Sequence, residues 1–232
     1  MVNVCGADDA GVVAERPDVV ASIVQLAATS NSTSQQAAAA VRLAAWQALS
    51  NLALDVHAAA VLLDSRALVS AAGDALHGFY EGSTDAAEDT ALAVLQTVKA
   101  LLAGEATSGS AAGRGLGQNL RLTSGVVPWI RTRRTQRDAL AALALLTQHV
   151  ETVDALCASS GSASFVRVVV DDAFLAPDAT RDVKDLALGV ICHTSESDAG
   201  AALLRSHANG AVMPALRALA GEELPASESD SG

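Results

Sequence analysis

The side chains that most often carry chemistry in proteins, histidine and cysteine, are few and scattered in this chain. The five histidines are His57, His77, His149, His193 and His207. No two of them have the HExxH spacing that places two metal ligands on one face of a helix. Cys192 and His193 are adjacent, so they point to different faces of a helix. We therefore predict no metal site, and at this pair a buried cysteine beside a histidine at a helix end.

A glycine-rich stretch, GRGLGQ at 113–118, has the composition of a phosphate-binding loop. It lacks the preceding buried strand and the Lys-Ser/Thr of a nucleotide-binding P-loop, and no βαβ pattern surrounds it. A GxSxG nucleophile elbow and a clustered carboxylate pair are also missing from the sequence. We predict that the protein is not an enzyme and needs no cofactor, and we interpret 104–117 as a flexible insertion loop.

A cluster of arginines in the middle of the chain contrasts with its overall acidity. The cluster lies beside Trp129 and comprises Arg131, Arg133, Arg134 and Arg137, with Arg114 and Arg121 upstream. Arginine next to an aromatic residue is typical of binding hot spots, because a guanidinium can hold a carboxylate or phosphate with two hydrogen bonds. One hypothesis is a docking site for an acidic or phosphorylated protein segment. The alternative is a solvated helix end whose arginines complement the helix dipole.

Charge and cysteine usage limit the classes of partner and compartment. The 232 residues include 26 acidic and 15 basic side chains, for a formal net charge of −11. This balance disfavours a nucleic-acid partner, which needs excess lysine and arginine to neutralise phosphates. The three cysteines have no paired spacing, which favours a reducing compartment. The N-terminal residues do not resemble a secretory signal, and the longest charge-free stretch is interrupted by TSNSTSQQ, so we expect no membrane span.

The elements that would carry these side chains are all predicted to be helices. Half of the residues are hydrophobic but only 3% are aromatic, so the apolar content is mostly Ala, Leu and Val, which suits a helical fold. The apolar spacing predicts helices at 17–28, 35–54, 55–64, 65–77, 88–103, 122–134, 136–150 and 181–194. The segment RVVVDDAF at 167–174 has strand propensity, but its place in the pattern favours a helix.

The helical pattern repeats. Aligning the long helices places Trp46, Leu92, Leu140 and Leu186 at equivalent points, and these residues are 46, 48 and 46 positions apart. A period of about 40 to 47 residues is typical of HEAT and armadillo repeats, which stack helices into an elongated surface. The sequence therefore predicts four restarts of one helical unit.

Two motifs within this pattern resemble the armadillo family. AAWQALSNLA at 44–53, followed by a short helix, resembles a third armadillo helix running into the next repeat, and HANGAVMPALRALA at 207–220 resembles the family's entry into its second helix. The resemblance covers most of 17–221. It implies an all-α fold, a right-handed armadillo-like α-solenoid of about four repeats, preceded by an N-terminal tail at 1–16 and followed by an acidic, disordered tail at 222–232.

The resemblance also implies a concave groove lined by the third helices. The residues that would line it are Trp46, Asn51, Gln96, Lys99, Gln148 and His149. Importin-like relatives bind basic peptides with a Trp and Asn ladder, but Trp46 lies five positions before Asn51 instead of four and the Asn does not recur. We therefore disfavour an import receptor. Asn51 could instead satisfy local backbone groups, and Trp46 could pack between repeats.

The expected function is a non-catalytic protein-binding scaffold or adaptor, with the arginine cluster as a second contact. The partner would be a protein or peptide, possibly within a larger assembly, and we expect no nucleic acid, no membrane and no small-molecule ligand. The alternative is a nucleotide exchange factor for an Hsp70-type chaperone, a role that the resemblance implies for a compact armadillo domain of this size. The expected location is the cytoplasm, and a nuclear or cytoskeletal assembly is compatible with the same residues.

Overall fold

The computed structural model describes residues 12–13, 15–28, 35–80, 84–108, 116, 118–159, 162–207 and 214. Within this part of the chain the regular structure is helical throughout, and the all-α prediction is confirmed. The helices are α1 Pro17–Ala28, α2 Gln35–Leu52, α3 Val56–Leu63, α4 Arg66–Tyr80, α5 Asp85–Ser108, α6 Leu120–Val126, α7 Gln136–Leu146, α8 Val150–Ala158, α9 Ser162–Val169, α10 Arg181–Ser195 and α11 Asp198–Ser206. A 3-10 turn, Val127–Arg131, follows α6, and a π turn, Val170–Phe174, follows α9.

Several helices begin at side chains that cap their free backbone N–H groups. The Asp55 carboxylate accepts hydrogen bonds from the backbone N–H groups of His57 and Ala58 at the start of α3. Asn119 caps α6 and Thr180 caps α10 in the same way. Such caps stabilise a helix by about 1 kcal/mol each, so these polar residues determine where successive helices start.

Several predicted boundaries differ from the observed ones, among them the end of the helix predicted at 136–150, which is Leu146. Helix α5 continues to Ser108, so the insertion predicted at 104–117 overlaps the end of a helix, which Glu and Ala residues favour. The predicted closing helix at 122–134 ends earlier, because the chain tightens into the 3-10 turn and leaves helical geometry at Thr132. The segment 167–174 is helical, as the repeat pattern indicated. Residues 1–11 and 14 of the predicted N-terminal tail, the acidic tail at 222–232, and the segments 208–213 and 215–221 lie outside the described residues, whereas Val12 and Val13 are helical.

The four helices at which the sequence pattern restarts, α2, α5, α7 and α10, pack against one another in chain order. Helix α2 packs against α5, α5 against α7, and α7 against α10. We call these four helices the central row. Beside them α1 packs against α4, α4 against α6, and α8 against α11. One continuous cluster of buried apolar side chains, from Val20 to Leu204, runs through these contacts.

Polar contacts between helices have a regular sequence separation. The Thr97 hydroxyl lies 3.4 Å from the backbone oxygen of Trp46, and the Trp129 indole donates to that of Leu76 at 3.1 Å. His193 Nδ1 lies 3.3 Å from the Thr147 hydroxyl. Such contacts among the described residues range from His207 with Asp171, 36 positions apart, to Trp129 with Leu76, 53 positions apart. Each contact therefore spans about one period of the sequence pattern.

Glycine permits the closest helix approach. A Cβ atom on Gly200 would lie 2.1 Å from the backbone oxygen of Thr194, far inside contact distance. At Gly125 a Cβ would lie 3.1 Å from the Leu76 Cβ. The start of α11 thus packs directly on the end of α10, and α6 on α4.

No single helix among the described residues is both long and apolar enough to cross a bilayer. Two helix pairs satisfy that test only jointly, and each pair is sharply bent: α3 with α4 by 83° and α7 with α8 by 112°.

Candidate functional site

The predicted arginine cluster lies where the 3-10 turn meets α7. Arg131 is the last residue of the 3-10 turn, and Arg137 lies in the first turn of α7. The connecting residues are anchored by Thr135, whose buried hydroxyl donates to the Trp129 backbone oxygen at 2.8 Å. Because this turn is anchored in the core, the arginines extend from a defined backbone.

An open pocket of about 340 Å³ lies beside these arginines. Its walls come from three elements: the segment around α7's start, the π turn with the loop that follows it, and the start of α10. The lining residues are Arg131, Arg133, Gln136, Arg137, Asp172, Ala176, Asp178, Ala179, Thr180 and Val183. We refer to this cavity as the arginine pocket.

Most of the clustered arginines are engaged by aspartates. Arg131 Nε lies 2.8 Å from the Asp172 carboxylate, and Arg134 pairs with Asp89 of α5. Arg137 lies 3.7 Å from Asp182. The upstream Arg121 pairs with Asp74 at 2.6 Å, and Arg114 lies outside the described residues. The cluster therefore carries much less net charge than its sequence indicates.

Arg133 differs from its neighbours. Its side chain is exposed, lines the pocket and makes no ion pair with the described residues. The pocket also holds a fixed hydrogen bond, in which the Gln136 amide donates to the backbone oxygen of Asp172 at 3.1 Å. That bond ties the start of α7 to the π turn.

The starts of two helices open at this pocket. Helix α7 begins after Thr135, whose side chain makes no capping hydrogen bond to the helix N-terminus. Helix α10 begins after Thr180, whose hydroxyl accepts from Val183 at 3.4 Å. The Val183 N–H is therefore satisfied by Thr180, and the Gln136 N–H donates to the Thr132 backbone oxygen at 2.8 Å. What both helix starts offer an anion is the partial positive charge of the helix dipole.

The two tryptophans predicted to contact a partner are in the core. Trp46 and Trp129 are both 0% exposed. The structure thus places Trp46 in the core, as its alternative interpretation has it, and Trp129, which was expected to contact a partner together with the arginines, is buried as well. The physical reason is that a large aromatic ring buries more apolar area between helices than any other side chain in this aromatic-poor chain.

The other predicted groove residues lie on or next to the central row. Asn51 and Gln96 are exposed on α2 and α5, and Gln148 is exposed just after α7. His149 is half-buried at the start of α8. Lys99 is partly exposed and pairs with Asp138, which joins α5 to α7. The structure brings this lysine into an internal contact that the sequence did not indicate.

The prediction of a buried Cys192 beside a helix-end His193 is correct for the histidine and wrong for the cysteine. His193 lies in the last turn of α10, as predicted, but Cys192 is exposed. Its neighbours Val190 and Ile191 take the core-facing positions instead. Burial raises the pKa of the other described thiol, Cys157, above its usual range, and the nearby Asp154 carboxylate adds to that shift. Across the described residues no group of three or more His, Cys, Asp or Glu side chains could hold a metal ion.

Sequence reasoning missed a set of buried threonines. Thr97 lies in the middle of α5, Thr147 directly after α7 and Thr194 near the end of α10. Each hydroxyl donates to the carbonyl four residues earlier. Their near-periodic spacing was a usable signal. These contacts satisfy buried hydroxyls and so support packing.

No family profile, curated protein or solved structure matches the chain.

Proposed function

We propose that the protein is a non-catalytic scaffold that holds a protein or peptide partner on a surface of its central row. In this proposal the helices form a right-handed, armadillo-like solenoid of about four repeats. The observation that carries the proposal is the order of packing, in which each restart helix contacts the next along the chain. Stacks of this kind expose one long surface per row of equivalent helices, and such surfaces are used to bind partners.

The separation of polar contacts supports the same arrangement. Contacts such as Thr97 with Trp46 and Arg134 with Asp89 are 51 and 45 positions apart. Pairing at one period is what a linear stack requires, since each unit contacts its immediate neighbours.

The exposed residues of the central row have the chemistry of a peptide-binding surface. Gln47, Asn51, Gln96 and Gln148 are exposed on α2, on α5 and after α7. We call these four residues the amide set. An amide side chain both donates and accepts hydrogen bonds, so it can pair with the backbone of an extended partner without requiring a particular side chain.

Site-specific photo-cross-linking tests the proposed surface. A photoreactive phenylalanine derivative is placed singly at Gln47 and at Gln96, and the protein is irradiated in the cell extract of its source. Both positions should trap the same partner, identified by mass spectrometry, because they lie on neighbouring helices of one row.

The matched controls are Ser70 on α4 and Ala202 on α11, which are also exposed but lie outside the central row. They should trap much less of that partner. Equal trapping at all four positions, or adducts only at the controls, would contradict the proposal.

A further inference from the structure

We infer that the arginine pocket binds a phosphoryl group carried on a segment of a partner protein. The inference deepens the proposed function and rests on it for the carrier, whereas the phosphate chemistry rests on the pocket alone. The ligand would sit among the guanidinium groups of Arg133 and Arg137 and the starts of α7 and α10.

The first observation that supports the inference is the number of arginine side chains in the pocket. The lining contains three arginines and two aspartates, in a chain whose formal net charge is −11. Arg133 is exposed and without an ion pair among the described residues. Its planar guanidinium offers several donors in a geometry that matches phosphate oxygens. Because Asp172 and Asp182 pair with Arg131 and Arg137, the attraction for an anionic ligand rests on Arg133.

The second support is that Arg137 is easily released from its present partner. Arg137 and Asp182 are 3.7 Å apart, and their side chains are 70% and 68% exposed. Solvent screens exposed pairs of this kind and makes them weak, so a ligand can replace the aspartate at small cost. Arg131 is held more closely by Asp172 and stays in the wall of the pocket.

The third support comes from the backbone. The starts of α7 and α10 both line the pocket, and the partial positive charge at a helix N-terminus stabilises an anion. A π turn forms another wall, with the Leu175 N–H bonded to the Val170 backbone oxygen at 2.8 Å. Such turns occur frequently at functional sites.

A phosphoryl group fits these features better than a carboxylate. The pocket already contains the carboxylates of Asp172 and Asp178, which repel any anion, so a ligand must make several contacts with the arginines to be held there. A phosphoserine carries about −1.5 to −2 charges and three acceptor oxygens, so it can engage Arg133, Arg137 and a helix start together. The pocket's volume of about 340 Å³ and its open mouth leave room for the side chain and the passing backbone.

Fluorescence anisotropy tests the inference with the full chain. The probe is a labelled peptide, Gly-Ala-Ala-phosphoSer-Ala-Ala-Gly, and the comparison peptides carry Ser or Glu at the central position. The phosphopeptide should bind at least 10-fold more tightly than either, and inorganic phosphate should compete. Arg133→Gln should weaken phosphopeptide binding at least 10-fold.

The matched control is Arg66→Gln, which removes an exposed arginine at the start of α4, away from the pocket. It should leave binding unchanged, and melting curves should show that both variants fold. Equal affinity for the Glu and phosphoserine peptides would overturn the phosphate preference. Equal weakening by Arg66→Gln and Arg133→Gln would show that the phosphopeptide does not bind in the arginine pocket. Binding of phosphoinositide vesicles in place of the peptide would contradict the inference that a protein segment carries the phosphoryl group.

The cross-linking and phosphopeptide experiments distinguish a failure of the scaffold proposal from a failure of the pocket inference. If Arg133→Gln abolishes phosphopeptide binding while cross-linking at Gln47 and Gln96 traps no partner, the pocket stands and the scaffold proposal is wrong. If those positions trap a partner equally in the wild type and in Arg133→Gln, and no phosphopeptide binds, the scaffold stands and the pocket inference is wrong.

Discussion

The two indole rings occupy similar environments but differ in one hydrogen bond. Both are 0% exposed. The Trp129 Nε1 donates to the Leu76 backbone oxygen at 3.1 Å, whereas the Trp46 Nε1 has no hydrogen-bond partner among the described residues. Removing one partner of a buried hydrogen bond leaves the other unsatisfied, so the two rings should contribute differently to stability.

We predict that Trp129→Phe destabilises the protein more than Trp46→Phe. Both substitutions remove the same atoms from the core, but the first breaks a buried hydrogen bond whereas the second removes an N–H group without a hydrogen-bond partner among the described residues. The difference in free energy of unfolding should be about 1 kcal/mol, measured by urea denaturation. Equal losses for the two variants would show that the Trp129 hydrogen bond has no net value.

Gly200 is required by a close approach. A methyl group there would meet the Thr194 backbone oxygen at 2.1 Å. We predict that Gly200→Ala lowers the free energy of unfolding by about 1 to 3 kcal/mol, because α11 must move away from α10.

The matched control for Gly200 is Gly189→Ala within α10, where no atom lies within 4 Å of the added methyl group. This variant should be neutral or more stable by up to about 1 kcal/mol, since alanine favours the helix. Thermal or urea denaturation of both variants provides the comparison, and a destabilised Gly189→Ala would contradict the steric explanation.

Burial and Asp154 raise the pKa of the Cys157 thiol, so the thiol form is favoured in the folded protein. In a Cys5→Ser, Cys192→Ser background, alkylation by iodoacetamide should reach half its maximal rate at a higher pH than in the urea-unfolded chain. Because the thiol pKa is higher in the folded protein, the stabilisation from the protonated thiol is fully present below the pKa of the unfolded chain. It is lost as the pH rises through the pKa of the folded protein. A folded midpoint at or below the unfolded one would contradict the prediction.

At the scale of helices, α5 and α7 are joined by Lys99 and Asp138, whose side chains are 37% and 18% exposed. Arg137 and Asp182 join α7 to α10 with 70% and 68% exposure. Since solvent screens exposed charges, the more buried pair should contribute more.

A double-mutant cycle with Lys99→Met and Asp138→Asn should give a coupling energy of up to about 1 kcal/mol. The cycle for Arg137 and Asp182 should give a value near zero. Urea denaturation in low and high salt provides the measurement. A larger coupling for the exposed pair would contradict the burial argument.

At the scale of the whole molecule, the proposed stack predicts a gradient of stability. Helix α5 packs against both α2 and α7, whereas α1 packs against helices on one side, α2 and α4. In a linear stack, end units lack one neighbour and open more readily. Hydrogen exchange followed by mass spectrometry should therefore show slower exchange in α5 than in α1. Uniform exchange throughout the described helices would contradict a linear stack.

The helices themselves could be predicted well from the sequence. The bounds of α1 are those that the apolar spacing and Pro17 indicate, and the strand-like segment at 167–174 is helical. The tight turns could not be predicted, because a 3-10 or π turn depends on how neighbouring helices constrain the backbone. Trp129 and Cys192 show the same limit: composition favours a core aromatic or a buried thiol, but packing decides which side chain faces inward.

By itself the sequence determined the helical class and the approximate positions of the helices, because helix propensity and apolar spacing act over a few residues. The tertiary structure alone decided the electrostatics of the arginine cluster. Asp172, Asp89 and Asp182 lie 41 to 45 positions from the arginines that they meet. Those distances are spanned only when successive helices pack, so no local pattern could show that Arg133 is the arginine left exposed in the pocket without an ion pair among the described residues.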